Sequence, residues 1–216
     1  MNAPNLSRLH ALRAENFAAR ETMNAIRPRF ERIEGRHANG TAPRALTSWQ
    51  LFQTPPEIAA QLVALLYLKP GARVLEPSAG LGRLLDALAP FRPSEIVAVE
   101  MADNIAHELR NQKRPGVTVM NRDFLALMPE EIGNFDAVAM NPPFTMRSDI
   151  RHINHALDFV KPGGRVAALM LHTDHRVNAL RDDATDWIEL PPGAFKSSGT
   201  NVATILASFQ TKIRTP

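Results

Sequence analysis

Val74-Leu75-Glu76-Pro77-Ser78-Ala79-Gly80-Leu81-Gly82 is the stretch on which the fold turns. A short apolar run enters a glycine turn, and a helical pattern over 82–89 leaves it. Gly80 and Gly82 let the backbone come close to a ligand at the carboxyl edge of a first strand. The third glycine of a dinucleotide fingerprint and the lysine of a phosphate-binding loop are both missing. Outward from this turn the same alternation continues. Apolar runs at 73–76, 95–100, 117–120, 135–140, 165–171, 185–190 and 202–210 are spaced by helical patterns at 82–89, 101–112 and 150–160. A further helix is expected over 55–68, with Thr54 as its N-cap and Pro55 and Pro56 in its first turn. Strand and helix in alternation specify an α/β fold: a seven-stranded, mostly parallel sheet with helices on both faces. The last two runs are joined by about a dozen residues without a helical pattern, which allows an antiparallel last strand.

Polar residues stand where these runs end. Glu100 closes the run at 95–100. An acid there can accept from both hydroxyls of a ribose, or can simply complement the dipole of the helix that follows. Asp123-Phe124 lies just past the third run. A carboxylate there can accept from an adenine amino group under the cover of an aromatic ring; the plainer pairing is a cap and a core residue. Asn141-Pro142-Pro143-Phe144 follows the buried run at 135–140. Its two prolines fix the backbone and remove two amide donors. Carbonyl oxygens, that of Pro142 among them, then stand beside the Asn141 side-chain oxygen, with Phe144 as a wall. Such a corner of acceptors suits a planar –NH2 group, whose two hydrogens need two acceptors. The alternative is a rigid turn and nothing more.

In this order the motifs resemble those of class I S-adenosylmethionine-dependent methyltransferases. More narrowly, they are similar to the N6-adenine DNA methyltransferases of gamma-type motif order, over about residues 50–210. Phe52-Gln53-Thr54-Pro55-Pro56 resembles the entry segment of that family, and Glu76 to Gly82 its cofactor loop. Glu100 resembles the ribose acid, Asp123-Phe124 the adenine clamp, and Asn141 to Phe144 the catalytic tetrapeptide. The segment 193–202 resembles the late stretch in which an aromatic ring, here Phe195, packs against a flipped base. The resemblance implies a Rossmann-like methyltransferase fold and S-adenosylmethionine as cofactor. It places Phe52, Thr54, Glu76, Pro77, Ser78, Ala79, Gly80, Gly82, Glu100, Met101, Asp123, Phe124 and Asn141 around that cofactor. It assigns catalysis to Asn141, Pro142, Pro143 and Phe144, and the base to a slot between Phe144 and Phe195, with no metal. The implied reaction is methylation of the exocyclic amino group of adenine in DNA, after the base has left the duplex. Adenine in RNA is the first alternative. The side-chain amide of a protein glutamine is the second, although that chemistry usually goes with Tyr where this chain has Phe144.

Composition agrees with an intracellular globular protein. Of 216 residues, 44% are hydrophobic and 22% charged, which rules out a wholly disordered chain. Cysteine is absent, so disulfides, zinc–thiolate sites and a cysteine nucleophile are excluded, and a cytoplasmic setting is expected. The longest apolar run, 58–68, is interrupted by Gln61 and too short to span a bilayer, so no membrane partner is expected. The N-terminus lacks the apolar core of a signal peptide. Residues 1–48 are expected to form a basic helical extension to a catalytic domain over 49–216. Leu9, Leu12, Phe17, Met23, Ile26, Phe30 and Ile33 recur there at helical spacing. Residues 1–50 hold eight arginines against four glutamates, whereas the whole chain carries only +3. The arm reads either as a phosphate contact or as a solvated helix with internal ion pairs. The chain ends fourteen residues after Val202, so no recognition domain is expected beyond it. Recognition is then left to the arm, to the segment 171–186 with His172, His175, Arg176 and Arg181, to a specificity partner or to a second copy. That segment reads equally as a phosphate-contact stretch or a solvated loop.

Overall fold

The computed structural model describes residues 53–144, 148–195 and 202–212. The expected basic extension, Phe52 and the Lys196–Asn201 part of the late segment lie outside the described residues.

Seven strands form one sheet: β1 (Arg73–Glu76), β2 (Glu95–Glu100), β3 (Val117–Asn121), β4 (Phe135–Met140), β5 (Val160–Leu171), β6 (Asp186–Glu189) and β7 (Thr204–Gln210). Their order is β3-β2-β1-β4-β5-β7-β6. β1 runs parallel to both β2 and β4, β2 to β3, and β4 to β5. Only β7 is reversed, pairing antiparallel with β5 and with β6. The expected sheet, antiparallel last strand included, is the one observed.

The helices follow from the two-residue period of the strands. Val74, Ala137, Ala139, Ala167, Leu169 and Leu206 face one core, while Leu75, Val138, Met140, Val166, Ala168 and Ile205 face the other. On the first face Ile58, Leu62 and Val63 of α1 (Pro56–Ala64), Leu84, Leu85 and Leu88 of α2 (Arg83–Leu88) and Leu109 of α3 (Asp103–Asn111) close the layer. A single turn, α4 (Pro129–Ile132), precedes β4. On the second face Ile150, Ile153 and Ala156 of α5 (Ser148–Leu157) and Leu180 of α6 (Asp174–Leu180) do the same. Strands covered on both sides need apolar residues on both faces, which is why β4 reads as a near-continuous apolar run, interrupted at Asp136 near its start.

Four local expectations are corrected. The N-cap of α1 is Pro55 and not Thr54, whose side chain is committed elsewhere. The helix also stops at Ala64 and not near 68; the chain turns there, and Tyr67 takes a positive φ of 49°. β5 begins at Val160, five residues before the expected start. Val160 pairs with Phe135, and pairing resumes only at Ala137 with Arg165, so Lys161-Pro162-Gly163-Gly164 forms an irregularity in the ladder. Gly164 is required there, because a Cβ would lie 2.5 Å from the Asp136 carbonyl oxygen. The segment 171–186, read as a phosphate-contact stretch or a loop, contains α6, capped by the Thr173 hydroxyl accepting from the Arg176 N–H.

The chain lays down β1, β2 and β3 outward, then returns to place β4 against the other side of β1. The order reverses between β1 and β4. The crevice beyond the carboxyl ends of these two strands is where an open α/β sheet binds a ligand.

Candidate active site

The glycine turn after β1 is tied to the sheet by the Ala79 N–H, which donates to the Val99 carbonyl at 3.0 Å. Gly80 and Gly82 hold positive φ of 51° and 84°. Around Gly80 the space where a Cβ would stand is open, whereas at Gly82 it would meet Leu109 at 2.9 Å. The first glycine therefore keeps the approach clear, and the second allows the helix to seat.

Glu76 is the last residue of β1 and is 1% exposed. Its Oε2 is buried with no hydrogen-bond partner among the described residues. Burial pushes this carboxyl well above the ordinary carboxylate range; the Arg114 guanidinium opposes the shift, while Glu100 and Asp86 add to it. A buried acceptor at the floor of a glycine turn is a vacancy for a donor or a cation. Because its pKa is raised, Glu76 favours folding fully only below about pH 4.5, and that contribution is lost as the pH rises through the folded-state value. Glu76→Gln should therefore unfold at a higher temperature than wild type near pH 8, by about 2–4 °C per kcal/mol released. The margin should close toward pH 4, and S-adenosylmethionine should bind more weakly. Thermal melts at several pH values and calorimetry check both signs.

Glu100 ends β2 with its carboxylate fixed by two backbone donors: Gly80 N–H at 2.9 Å to Oε2 and Ala102 N–H at 2.8 Å to Oε1. Each oxygen keeps a second lone pair, so the carboxylate can still accept from two hydroxyls while the glycine turn holds it in place. Asn121, which the sequence did not single out, donates from Nδ2 to the Glu100 and Met101 carbonyls, both at 3.0 Å. Met101 stands 55% exposed beside them.

Asp123 caps the turn of 3-10 helix Phe124–Ala126, with Oδ1 accepting from the Leu125 N–H at 3.0 Å. The Phe124 ring is 2% exposed in the second core, 4.7 Å from the His155 ring and 5.3 Å from the Phe159 ring. An aromatic cover over an adenine face is thus not supplied by this ring, which packs in the second core. His155 stabilises the same turn, its Nε2–H donating to the Phe124 and Leu127 carbonyls, each at 3.0 Å. Among the described residues no group of three metal-ligating side chains forms.

Asn141 leaves β4 at the neighbouring strand end. Its Nδ2 donates to Thr54 Oγ1 at 3.0 Å, across 87 residues of chain. Thr54 is 3% exposed. The carbonyls that follow are also met: Ser148 Oγ donates to the Pro143 oxygen at 2.7 Å, and Arg176 donates to the Phe144 oxygen at 3.2 Å. Arg176 is itself buried, paired through Nε with the Asp149 carboxylate and through a terminal nitrogen with Thr173 Oγ1 at 3.2 Å. This corrects its reading as a phosphate contact. Arg181 of the same segment stacks on Trp187 at 5.3 Å, and His172 faces Glu189 at 3.4 Å. Phe144 is half-buried against the first core. Phe195, expected to face a base, is 2% exposed in that same core, so these two rings do not form an open slot.

Glu76, the glycine turn, Glu100, Asp123 and Asn141 thus occupy the carboxyl ends of four adjacent strands, as their spacing suggested. The residues present fit a nucleoside-bearing cation: an orphaned buried carboxylate oxygen, an open glycine and a pre-fixed ribose-type acid. No family model matches the chain, and no curated protein matches it in sequence. Solved structures match it in fold. A putative RNA methyltransferase from Pyrococcus horikoshii aligns with 82% of this chain and 95% of its own, at 18% identity and a TM-score of 0.61. TrmN from Thermus thermophilus aligns with 76% of this chain at 21% identity and a TM-score of 0.59, and this chain spans about half (51%) of its length. An S-adenosylmethionine-dependent O-methyltransferase from Thermotoga maritima aligns with 74% of this chain and 67% of its own, at 18% identity and a TM-score of 0.56. The chain has the Rossmann-like fold of class I methyltransferases. Likeness at this identity carries the fold and leaves the reaction to be argued from the site.

Proposed function

We propose that this chain transfers a methyl group from S-adenosylmethionine to the exocyclic amino group of adenine in a nucleic acid, with DNA as the leading substrate. One observation carries the reading: Asn141-Pro142-Pro143-Phe144 leaves β4 at the topological switch point, with the Asn141 amide held by its nitrogen so that its oxygen lies on the other side. When bound, S-adenosylmethionine supplies a methyl carbon already activated by its sulfonium leaving group. The protein's remaining task is alignment. Glu76, Ser78, Gly80, Glu100 and Asp123 would hold the cofactor, with Met101 against its adenine. Asn141 Oδ1 and the Pro142 carbonyl would accept the two amino hydrogens of the target. Holding both hydrogens on one side turns the nitrogen lone pair toward the methyl. Pro142 and Pro143 keep competing N–H donors out of the corner. Phe144 covers the base. RNA is the second reading, favoured by the description of the P. horikoshii neighbour, of which the chain covers 95%.

Incubation with tritium-labelled S-adenosylmethionine and, separately, duplex DNA, single-stranded DNA, total RNA and protein tests the assignment. Label in one nucleic acid, released as N6-methylated adenine nucleoside on digestion, is the expected result. Label confined to protein, or to another nucleoside, contradicts it.

A further inference from the structure

Asn121 ends β3, and the methyl transfer has no direct use for it, yet both hydrogens of its side-chain amide are spent on one neighbouring turn. It lies beside Glu100 in the parallel register of β2 and β3. Its Nδ2 donates to the Glu100 carbonyl and to the Met101 carbonyl, each at 3.0 Å. Both partners are backbone acceptors with no hydrogen to give, so only the nitrogen end of the amide fits against them. We propose that Asn121 is a positioning residue for the cofactor ribose: it fixes the peptide that holds the Glu100 carboxylate in its accepting orientation.

The link is a single peptide plane. The Met101 C=O and the Ala102 N–H belong to one planar group and point in opposite directions. Asn121 holds the carbonyl edge at 3.0 Å, and the amide edge donates to Glu100 Oε1 at 2.8 Å. The Glu100 carbonyl, where the turn begins, is held twice, by Asn121 and by the Arg122 N–H at 3.2 Å. The other carboxylate oxygen is tied to the glycine turn through the Gly80 N–H at 2.9 Å. Held from both sides, the carboxylate is presented in one plane, and each oxygen keeps a lone pair for a ribose hydroxyl. Ala102, the N-cap of α3, has no polar side chain to brace the turn from within. Without Asn121 the Met101 carbonyl is free to turn toward water, and the Ala102 N–H turns with it. Oε1 then loses its donor, and the carboxylate swings about the Gly80 contact.

This inference rests on the reading of Glu100 as the ribose acceptor, and its test separates the two. Calorimetry on the full chain compares S-adenosylhomocysteine, the cofactor without its methyl group, with its dideoxyribose analogue, which lacks both ribose hydroxyls. Wild type should prefer the ribose form by about 10–10²-fold, the scale of hydrogen bonds to a charged group. Asn121→Leu should weaken the ribose form about tenfold, the scale of one neutral hydrogen bond, and leave the dideoxy form as it was. Asn121→Asp keeps the shape but offers the two carbonyls no donor, so it should narrow the preference in the same way. Glu100→Ala should remove the preference, and adding Asn121→Leu to it should narrow it no further. A purely structural part for Asn121 would weaken both ligands together. That result in Asn121→Asp, or a wild-type preference in it, overturns the proposal while leaving Glu100 as the ribose acceptor. A preference that survives Glu100→Ala defeats the ribose reading itself, and the inference with it.

Discussion

Replacing Asn141 with Ala should lower methyl transfer on the order of 10²–10³-fold, the scale of losing one preorganised polar contact at a reacting group. Calorimetry with S-adenosylmethionine should show binding little changed. The separation follows from the layout. Asn141 lies at the end of β4, while the glycine turn and Glu100, linked by the Gly80 N–H, lie at the ends of β1 and β2. Asn141→Asp is the sharper companion. It keeps the shape but exchanges the Nδ2 donor for a charged acceptor, so the Thr54 hydroxyl must donate instead of accept, and the added charge should keep the variant slow. A variant that binds the cofactor and transfers at the wild-type rate removes Asn141 from the mechanism.

The second large effect concerns stability. Asp149→Ala should destabilise the fold by about 3–5 kcal/mol, because it strands a buried guanidinium. The Asp149 side chain is fully buried and that of Arg176 only 8% exposed, so water cannot replace the missing partner. Asp149→Leu with Arg176→Met should recover most of that loss, since apolar residues of similar volume avoid the cost of burying charge altogether. The double variant should nevertheless stay slow in transfer, as the Phe144 carbonyl loses its donor. Urea titration gives the stability, and the label-transfer assay gives the rate. A double variant as fast as wild type would limit the ion pair to a structural part.

How much of this was legible in the sequence follows the physics of each feature. β1, β2 and β4 are read to the residue, since strands covered on both faces hold consecutive apolar residues, here Val74-Leu75, Ile96 to Val99 and Ala137 to Met140. Glu76, Glu100 and Asn141 were legible for the complementary reason. They are polar residues that end such runs, and strand ends in an open parallel sheet converge on one crevice. The errors fall where side-chain direction is set by tertiary packing. Phe124 and Phe195 have the right composition for covering a base, yet both rings are drawn into the two cores. Arg176 looked like a phosphate contact beside His172, His175 and Arg181, and nothing local marks it as the partner of an aspartate 27 residues earlier. Thr54, before two prolines, fits a helix cap; only the return of β4 beside β1 brings Asn141 to its hydroxyl. Helix α6 escaped notice because seven residues with few apolar positions show little periodicity.

The central claim is that the corner at Asn141 and Pro142 exists to receive a methyl acceptor beside the cofactor crevice. The most direct measurement is a crystal structure of the full chain with S-adenosylmethionine. The account predicts the ribose on Glu100, the charged end of the ligand near Glu76, and the methyl facing Asn141 Oδ1 and the Pro142 carbonyl. A methyl directed away from that corner, or a ligand bound elsewhere on the sheet, would contradict it.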